Sequence, residues 1–574
     1  MNNESDEQKL DAEQELEFDE QELETVEISD KDIEEDDKKS RHARRQAKKE
    51  AKKNRSPEEK KRARRKKDFL ALGILVSILA IVLAVPATRW PILNAVGFRG
   101  TLMIQVNEQD SAKPIIGASV MLEDDEMVRT NDDGWATFSA TKLGKRVITV
   151  SKSGYGKETQ AVVNKLGTTR PQAISLKVIG IKLDVVVLHW LSGNPLAGAT
   201  VSYEKASATT DKTGLASIVI PPTDERKVVL DVAAPGFHTK KVDTDISVAS
   251  REVSLVAAQM DYFISKRDGK FDIFTSRLDG NDQRKIIEAT GKENEGLLQF
   301  SINRNNQYGI LVANRDGKIL NNRIVAGVYI VDLEKSTLRK IDEGSDVQLL
   351  DWVDDTIVYS KTIPELNYDD PNLSRIQSYN VTKSKASEIA QSNYFPINLV
   401  AQNKVFYMPA DSYRVIEGAA LTSYEVNSGA RRTYLADKRL QYGTRARYDA
   451  LELQDSDGKN YELIVASGVV KGIDRQPSNQ LSFAQKPAGG QVLWTDRRDG
   501  QGALLIRSTA ANDERIITKL GGLMHPVRFV GDSLAVVRVV TSQETADYVV
   551  DIGSGKLSKI VDVSNVSSLR MGAL

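Results

Sequence analysis

The 574-residue chain has a formal net charge of −1, but its charges are strongly segregated. Residues 1–37 hold 18 acidic and two basic residues, whereas residues 38–67 hold 17 basic and three acidic ones. Such segments bury too little apolar surface to offset chain entropy, so we expect residues 1–67 to form a disordered tail. Cysteine is absent, which excludes disulfides, a catalytic thiol and a lipid-modified cysteine.

The longest apolar stretch follows the basic segment directly. Phe69–Val85 is 17 residues long, or about 25 Å as a helix, and predicts a transmembrane helix within residues 68–88. Because Lys and Arg crowd its N-terminal side, the positive-inside rule predicts a single-pass cell-membrane protein with a cytoplasmic tail and extracytoplasmic C-terminal domains. A signal peptide cleaved near Val85–Ala87 is the competing interpretation, and the 68 preceding residues disfavour it.

The same segments predict contacts with lipid. Phe69–Val85 would contact the lipid bilayer, and the basic residues 38–67 would attract anionic lipid at the inner membrane face. No aromatic residue interleaves the cations between His42 and Lys67. Base stacking is therefore excluded there, which disfavours nucleic acid as a partner.

An internal repeat follows the apolar stretch. The sequence becomes short alternating strands separated by Gly, Asp and Pro, and its landmarks recur about 80 residues later. The turn Pro-x-x-Gly-Ala occurs at Pro114–Ala118 and at Pro195–Ala199. The paired glycines are Gly117 and Gly198, Gly134 and Gly214, and Gly154 and Gly236.

This order of landmarks resembles the PEGA and carboxypeptidase regulatory-like families. The resemblance implies two small prealbumin-type β-sandwiches, at residues 99–178 and 179–258. Members of these families serve as stalks and adhesion modules of envelope proteins, so the resemblance implies no catalysis.

Residues 259–574 contain a second kind of sequence repeat, with a period different from the about 80 residues of the first. Strand–turn–strand units recur, with Asp332, Asn380, Glu425 and Asp551 near the end of the first strand of each unit. Dividing about 316 residues by seven gives about 45 per unit, the size of a β-propeller blade, and six blades with larger loops fit almost as well. The segments Arg267–Phe274 and Trp494–Gly500 resemble the propellers of TolB and of dipeptidyl-peptidase-like N-terminal domains.

Two motifs look catalytic. Gly531–Leu534 matches the opening of the GDSL hydrolases, but no histidine follows Ser533 to act as the base. Gly553–Lys556 is similar to part of a phosphate-binding loop, but the first glycine of that motif would fall on Val550. We therefore interpret both motifs as turns and expect a protein that is not an enzyme.

Metal and cofactor sites are also not expected. Asp455–Gly458 looks like part of a calcium loop but lacks the third acid and the closing glutamate. The four histidines are scattered without ligand spacing. The sequence thus predicts no catalytic residue, no metal ligand and no cofactor.

One loop stands out as a candidate partner-binding site. Ile363–Arg375, here called the candidate loop, is long for a blade connection and carries Tyr368, Asp369 and Asp370. Long loops on rigid scaffolds often bind ligands.

Together these features predict a mostly β protein with a transmembrane helix, two tandem β-sandwiches and a six- or seven-bladed β-propeller. We expect a membrane-anchored scaffold of the bacterial cell envelope, whose propeller binds an envelope protein or a polysaccharide. The alternatives are a noncatalytic accessory propeller for a separate envelope peptidase, and a surface sensor.

Overall fold

The computed structural model describes residues 84–564 apart from short gaps at 124–125, 169, 412–413, 416–418, 480, 482, 488 and 510–512. It also describes positions 70, 72–74, 76–77 and 80. The predicted tail, residues 1–67, lies outside the described residues.

The transmembrane helix is the part of the predicted fold class that is wrong. Within the described part of the chain, no helix is long and apolar enough to cross a membrane. Val85 is extended, with φ −84° and ψ 119°, as expected of a residue that precedes proline. Helix α1 (Pro86–Ala95) spans only ten residues, about 15 Å. Several positions of Phe69–Val85 lie outside the described residues.

The chain divides into two compact units. The first comprises Met1–Met103, Thr137–Val147 and Ala161–Gln172, and the second comprises the remaining residues. Within the first unit, Asn94 Nδ2 of helix α1 donates to the Leu143 carbonyl oxygen at 2.9 Å, and the Leu143 N–H donates to Asn94 Oδ1 at 2.7 Å.

The first repeat consists of two sheets. One sheet has the strand order β4-β1-β7, with β8 also paired to β1, and the other has the order β3-β2-β5-β6. Burial alternates along β1 from one residue to the next, as expected for a strand with a single core-facing side. The strands are β1 (Gly100–Glu108), β2 (Ser119–Leu122), β3 (Glu126–Arg129), β4 (Trp135–Thr141), β5 (Gly144–Ser151), β6 (Glu158–Asn164), β7 (Gly167–Thr168) and β8 (Gln172–Leu176).

The second repeat has the corresponding strand orders, β12-β9-β15 and β11-β10-β13-β14. Both sheets contribute to one apolar core, which includes Val185 and Ile218 from the first and Val201 and Leu230 from the second. The second repeat is therefore a β-sandwich. Its strands are β9 (Ile181–His189), β10 (Thr200–Tyr203), β11 (Ala206–Thr209), β12 (Leu215–Ile220), β13 (Lys227–Ala233), β14 (Lys240–Asp245) and β15 (Ser250–Leu255).

The repeated glycines occupy equivalent turns. Gly134 and Gly214 have φ of +75° and +76°, which glycine adopts without steric cost. A Cβ at Gly134 would lie 2.8 Å from the Val106 carbonyl oxygen, and a Cβ at Gly214 would lie 2.7 Å from that of Val187. The two turns therefore require glycine for the same two reasons, backbone conformation and lack of space.

The remaining strands form a series of antiparallel sheets. The first group is β16 (Met260–Ser265), β17 (Asp272–Arg277), β18 (Arg284–Ile287), β19 (Gln299–Ile302), β20 (Tyr308–Ala313), β21 (Ile319–Leu320), β22 (Arg323–Ile324), β23 (Ala326–Asp332), β24 (Thr337–Val353), β25 (Thr356–Thr362), β26 (Ser374–Asn380) and β27 (Lys385–Ser392). The second group is β28 (Tyr394–Ala401), β29 (Lys404–Asp411), β30 (Arg414–Val415), β31 (Leu421–Glu425), β32 (Arg431–Tyr434), β33 (Leu440–Arg447), β34 (Ala450–Asp455), β35 (Asn460–Ile464), β36 (Val470–Ile473), β37 (Phe483–Gln485), β38 (Gln491–Arg498), β39 (Gln501–Ser508), β40 (Arg515–Leu520), β41 (Leu523–Val530), β42 (Leu534–Val540), β43 (Thr545–Asp551) and β44 (Leu557–Asp562). A short 3-10 helix, Glu295–Leu297, precedes β19.

These sheets are seven consecutive blades. Blade 1 is β16–β18, blade 2 is β19, β20, β23 and the first half of β24, and blade 3 is the second half of β24 with β25–β27. Blade 4 is β28, β29, β31 and β32, and blades 5, 6 and 7 are β33–β36, β37–β40 and β41–β44. The central strands of a blade are buried on both faces, as β23 and β42 illustrate, because each blade is packed between two others.

Apolar clusters join each blade to the next and close the ring. Successive clusters link blades 1 and 2, 2 and 3, 3 and 4, 4 and 5, 5 and 6, and 6 and 7. A further cluster joins Phe263 and Phe274 of blade 1 to Val536 and Val549 of blade 7. A β-propeller is therefore present, and seven is the number of blades that the described residues form.

Buried charges reinforce the junction of the last blade with the first. Arg528 Nη2 donates to Asp261 Oδ1 at 2.9 Å, and Arg538 holds both carboxylate oxygens of Asp547 at 2.8 and 2.9 Å. Asp261 and Asp547 are fully buried. The pKa of Asp261 is raised to about 6, because burial and the nearby Asp547 carboxylate raise it by more than Arg528 lowers it.

Candidate binding pocket between blades 3 and 4

A cavity of about 370 Å³ lies where blades 3 and 4 meet. Its walls come from β24, β25, the candidate loop and β28, and its volume lies within the usual range of ligand pockets. The lining residues are Asp346, Gln348, Ser360, Lys361, Thr362, Tyr368, Leu373, Ser374, Asn393, Tyr394, Phe395 and Asn398.

A β-bulge opens the wall that blade 3 contributes. The pairing of β24 with β25 changes register between Ser345 and Gln348. Asp346 lies in this bulge with φ +47°, a left-handed conformation that costs a non-glycine residue on the order of 1 kcal/mol. Bulges of this kind redirect side chains at the ends of strands.

A second bulge opens the facing wall, which blade 4 contributes. The pairing of β28 with β29 changes register between Tyr394 and Ile397. Pro396 lies within this bulge, where its lack of an N–H removes no hydrogen bond from a regular ladder. Two independent register changes thus flank one cavity.

Blade 2 holds one end of the candidate loop. Arg323, in the β21–β22 hairpin, donates through Nη1 to the carbonyl oxygens of Ile363 at 3.1 Å and Leu366 at 3.0 Å. Asn321 Nδ2 donates to the Pro364 carbonyl oxygen at 3.0 Å. The N-terminal half of the candidate loop is therefore fixed by side chains from outside its own blade.

The connection between blades 3 and 4 holds the other end. Asn393 Nδ2 donates to the carbonyl oxygens of Tyr368 at 2.8 Å and Asp370 at 2.9 Å. The Asn372 N–H donates to Asp370 Oδ1 at 2.8 Å, which closes a local turn. These bonds fix the backbone on both sides of the cavity mouth.

Tyr368 is the most exposed aromatic group at this mouth. Tyr368 is 73% exposed, and the guanidinium carbon of Arg323 lies 4.0 Å from the centroid of the Tyr368 ring. A cation over one ring face restrains the orientation of the ring. Tyr368 is thus a pre-oriented aromatic contact whose remaining surface faces solvent.

The polar groups of the pocket are mostly amides and hydroxyls. Asn398 Nδ2 donates to Ser360 Oγ at 3.3 Å, and Ser374 Oγ donates to the Asn393 carbonyl oxygen at 2.8 Å. Such groups can donate and accept hydrogen bonds with many ligands, but they hold no strong nucleophile.

The two charged groups of the pocket have different surroundings. Lys361 Nζ lies 2.6 Å from Asp342 Oδ1, and it donates to the Glu343 carbonyl oxygen at 3.0 Å. The Tyr359 hydroxyl donates to Asp342 Oδ2 at 2.7 Å, and burial raises the pKa of Tyr359. Asp346 is exposed, and no described residue forms a hydrogen bond or ion pair with its carboxylate. The uncompensated charge in the pocket is therefore negative.

The sequence-predicted residues divide between pocket and rim. Tyr368 lines the cavity, whereas Asp369 is exposed and Asp370 half-buried, and neither lines it. Sequence analysis missed Asp346 and Asn398, which come from strands distant in sequence from the candidate loop. The one available signal was Pro396, because a proline inside strand-like sequence marks a bulge or an edge.

The catalytic-looking motifs lie in hairpin turns. Ser533 lies between β41 and β42, and its carbonyl oxygen accepts the Ile552 N–H at 2.8 Å. Gly553–Lys556 turns the chain between β43 and β44, where Asp551 Oδ1 accepts the Ser554 N–H at 2.7 Å.

The calcium-like segment is also a turn. Asp455 Oδ1 accepts the N–H groups of Asp457 at 3.0 Å and Lys459 at 2.8 Å, and Asp455 Oδ2 accepts the Tyr461 hydroxyl at 2.8 Å. Among the residues that the structure describes, no group of three or more His, Cys, Asp or Glu could hold a metal ion.

Comparison with known proteins gives structural likeness only. No protein-family model and no curated protein sequence matches the chain. The resemblance of the repeats to PEGA and carboxypeptidase regulatory-like domains therefore stays a prediction.

Three solved structures illustrate the likeness. The β-propeller domain of the trilobed protease from Pyrococcus furiosus is 14% identical, with a TM-score of 0.35 and coverage of 60% of this chain and 97% of that one. TolB from Acinetobacter baumannii is 9% identical, with a TM-score of 0.31 and coverage of 61% and 79%. Acylaminoacyl peptidase from Pyrococcus horikoshii is 12% identical, with a TM-score of 0.34 and coverage of 59% and 51%. These values carry no information on activity, and the propeller assignment stands on the strand order and the closed ring of clusters.

Proposed function

We propose that this protein is a noncatalytic binding or scaffolding protein whose propeller holds a macromolecular partner at the pocket between blades 3 and 4. The repeats before the propeller serve as its support. The partner is an envelope protein or a polysaccharide, and location outside the cytoplasm at the cell envelope is part of the same proposal.

The observation that supports this proposal most strongly is the way the pocket is built. Two bulges open its walls, and the candidate loop is fixed by Arg323 from blade 2 and by Asn393 from the connection between blades 3 and 4. Rigid support of an exposed aromatic residue lowers the entropy lost on binding.

The chemistry of the lining supports binding without turnover. Its side chains are amides, hydroxyls, aromatic rings, one leucine and one carboxylate, and its ammonium group, on Lys361, is paired with Asp342. No histidine or cysteine lines the cavity. Nucleophilic catalysis needs an activated nucleophile next to a base, and this set of groups offers no such pair.

The test is capture from cell-envelope extract by the immobilised full chain. We expect a partner to be retained, and we expect replacement of Tyr368, Asp369 and Asp370 together by Ala to reduce its recovery several-fold. Tyr442→Ala is the matched control, because Tyr442 is an exposed tyrosine of blade 5 that does not line the pocket. Equal recovery by all three proteins would contradict the proposal.

A further inference from the structure

We infer that the partner at this pocket is a protein segment that combines a Lys or Arg side chain with apolar neighbours. This inference rests on the proposed function, because it names the chemistry of the ligand for the same pocket. Charge, the apolar part of the lining and aromatic placement each support it.

Two of the three cations around the pocket are neutralised by carboxylates. Lys361 lies 2.6 Å from Asp342, and Lys318 lies 2.5 Å from Glu343. Arg323 forms no ion pair within the described residues, but it is buried, its Nη1 donates to backbone carbonyl oxygens of the candidate loop, and its guanidinium lies over the ring of Tyr368. The three cations therefore leave one net positive charge beside the pocket.

The acids at the same mouth are not compensated. Asp346 lines the pocket, and Glu365 and Asp369 are exposed on the candidate loop. Within the described residues, none of these three carboxylates forms an ion pair. The mouth therefore carries a local excess of negative charge, which attracts a cationic partner and repels an anionic one.

Apolar and aromatic side chains line the same cavity. Leu373 and Phe395 lie in its wall, and Tyr394, which is 36% exposed, lines it together with Tyr368. Apolar and aromatic groups beside a carboxylate have the composition of a protein-binding hot spot.

These features favour a basic protein segment over a neutral polysaccharide. An ammonium or guanidinium group can pair with Asp346 and lie against the ring of Tyr368 or Tyr394, both of which line the cavity. Apolar neighbours of that cation can contact Leu373 and Phe395 in the cavity wall. A neutral glycan could use the amides and hydroxyls, but it would leave the carboxylates uncompensated.

A phage-displayed library of random 12-residue peptides, panned on the immobilised full chain, tests the inference. We expect the retained peptides to be enriched in Lys or Arg next to apolar residues, and their binding to weaken as NaCl is raised. Asp346→Asn should weaken binding of the selected peptides about threefold to fivefold, and Tyr368→Ala about tenfold or more.

Matched substitutions in blade 5 and in the connection that follows it provide the controls. Asp474→Asn removes an exposed carboxylate and Tyr442→Ala an exposed ring, and neither residue lines the pocket. Both variants should bind the selected peptides as the unchanged protein does.

Other outcomes overturn the inference in different ways. Two results would contradict the inference of a basic segment but would keep the proposal of a binding pocket. One is the selection of peptides that lack basic residues and whose binding is lost in Tyr368→Ala. The other is binding of glycans on an array that is likewise lost in Tyr368→Ala. If the chain binds neither peptides nor glycans, both the inference and the proposed function are contradicted. The same holds if it binds them and neither Tyr368→Ala nor Asp346→Asn changes that binding.

Discussion

Two blade junctions of the propeller solve the problem of packing neighbouring sheets in opposite ways. Between blades 7 and 1, apolar side chains and the buried pair Arg528–Asp261 fill the space, and a second buried pair, Arg538–Asp547, lies within blade 7. Between blades 3 and 4, two bulges keep a cavity open, and exposed side chains line its mouth.

The two junctions therefore have different roles, because one stabilises the propeller and the other provides a binding pocket. The junction of blades 7 and 1 must close the ring, because no covalent bond or disulfide joins the first blade to the last. The junction of blades 3 and 4 is internal to the chain, so it can tolerate strain at Asp346 and an incomplete packing surface. We therefore expect substitutions at the first junction to change folding and substitutions at the second to change binding.

The largest effect should follow loss of Arg528. Arg528→Met leaves the Asp261 carboxylate buried without its partner, which should lower the free energy of unfolding by about 3–5 kcal/mol. Denaturant unfolding of the full chain measures this change. The exposed Arg497→Met should change it by no more than about 0.5 kcal/mol. Equal effects of the two substitutions would show that the buried pair does not secure the ring.

A smaller effect should appear in the pH dependence of stability. The pKa of Asp261 rises from 3.8 to about 6 on folding, so the folded state binds more protons than the unfolded state between these values. The stabilising contribution of Asp261 is therefore present below pH 3.8 and is lost as the pH rises through about 6.

Comparison with Asp261→Asn isolates this contribution. The unfolding free energy of the unchanged protein should fall relative to that of the variant between about pH 4 and 6, by about 1–3 kcal/mol, and the difference should be constant above about pH 7. A difference that is flat across this range, or that grows with pH, would contradict the assignment of this titration to Asp261.

The smallest effect on stability should come from the pocket. Replacing Tyr368, Asp369 and Asp370 by Ala should shift the free energy of unfolding by only about 0.5 kcal/mol per site, because the loop is held mainly through backbone carbonyl oxygens and the Asp370 carboxylate closes only a local turn. Denaturant unfolding of the triple variant measures this shift. A loss of several kcal/mol would mean that the candidate loop is a folding element, and the contrast between the two junctions would fail.

Much of the propeller was predictable because blade turns carry a local signal. Asp332, Asn380 and Asp551 each accept an N–H from the turn that follows their strand, at 2.9, 2.8 and 2.7 Å. The number of blades was not predictable, because the ring closes through contacts between residues as far apart as Asp261 and Arg528. The prediction of a transmembrane helix in the apolar stretch was wrong, because no helix within the described residues is long and apolar enough to cross a membrane.

The pocket was predictable only in part. Tyr368 could be chosen because it lies in a long loop with acids nearby. Pro396 was a local signal for the second bulge, whereas the bulge at Asp346 depends on how β24 pairs with β25, and no local sequence pattern specifies that register. The anchoring of the loop by Arg323 and Asn393 likewise depends on residues outside the loop.

The most direct test of the central claim is photocrosslinking in the native cells. A photoreactive p-benzoylphenylalanine replaces Tyr368 at the pocket in one version of the full chain and Tyr442 in blade 5 in another. The account predicts a discrete crosslinked product from position 368 and none from position 442. No product from either position, or the same product from both, would contradict a binding site between blades 3 and 4.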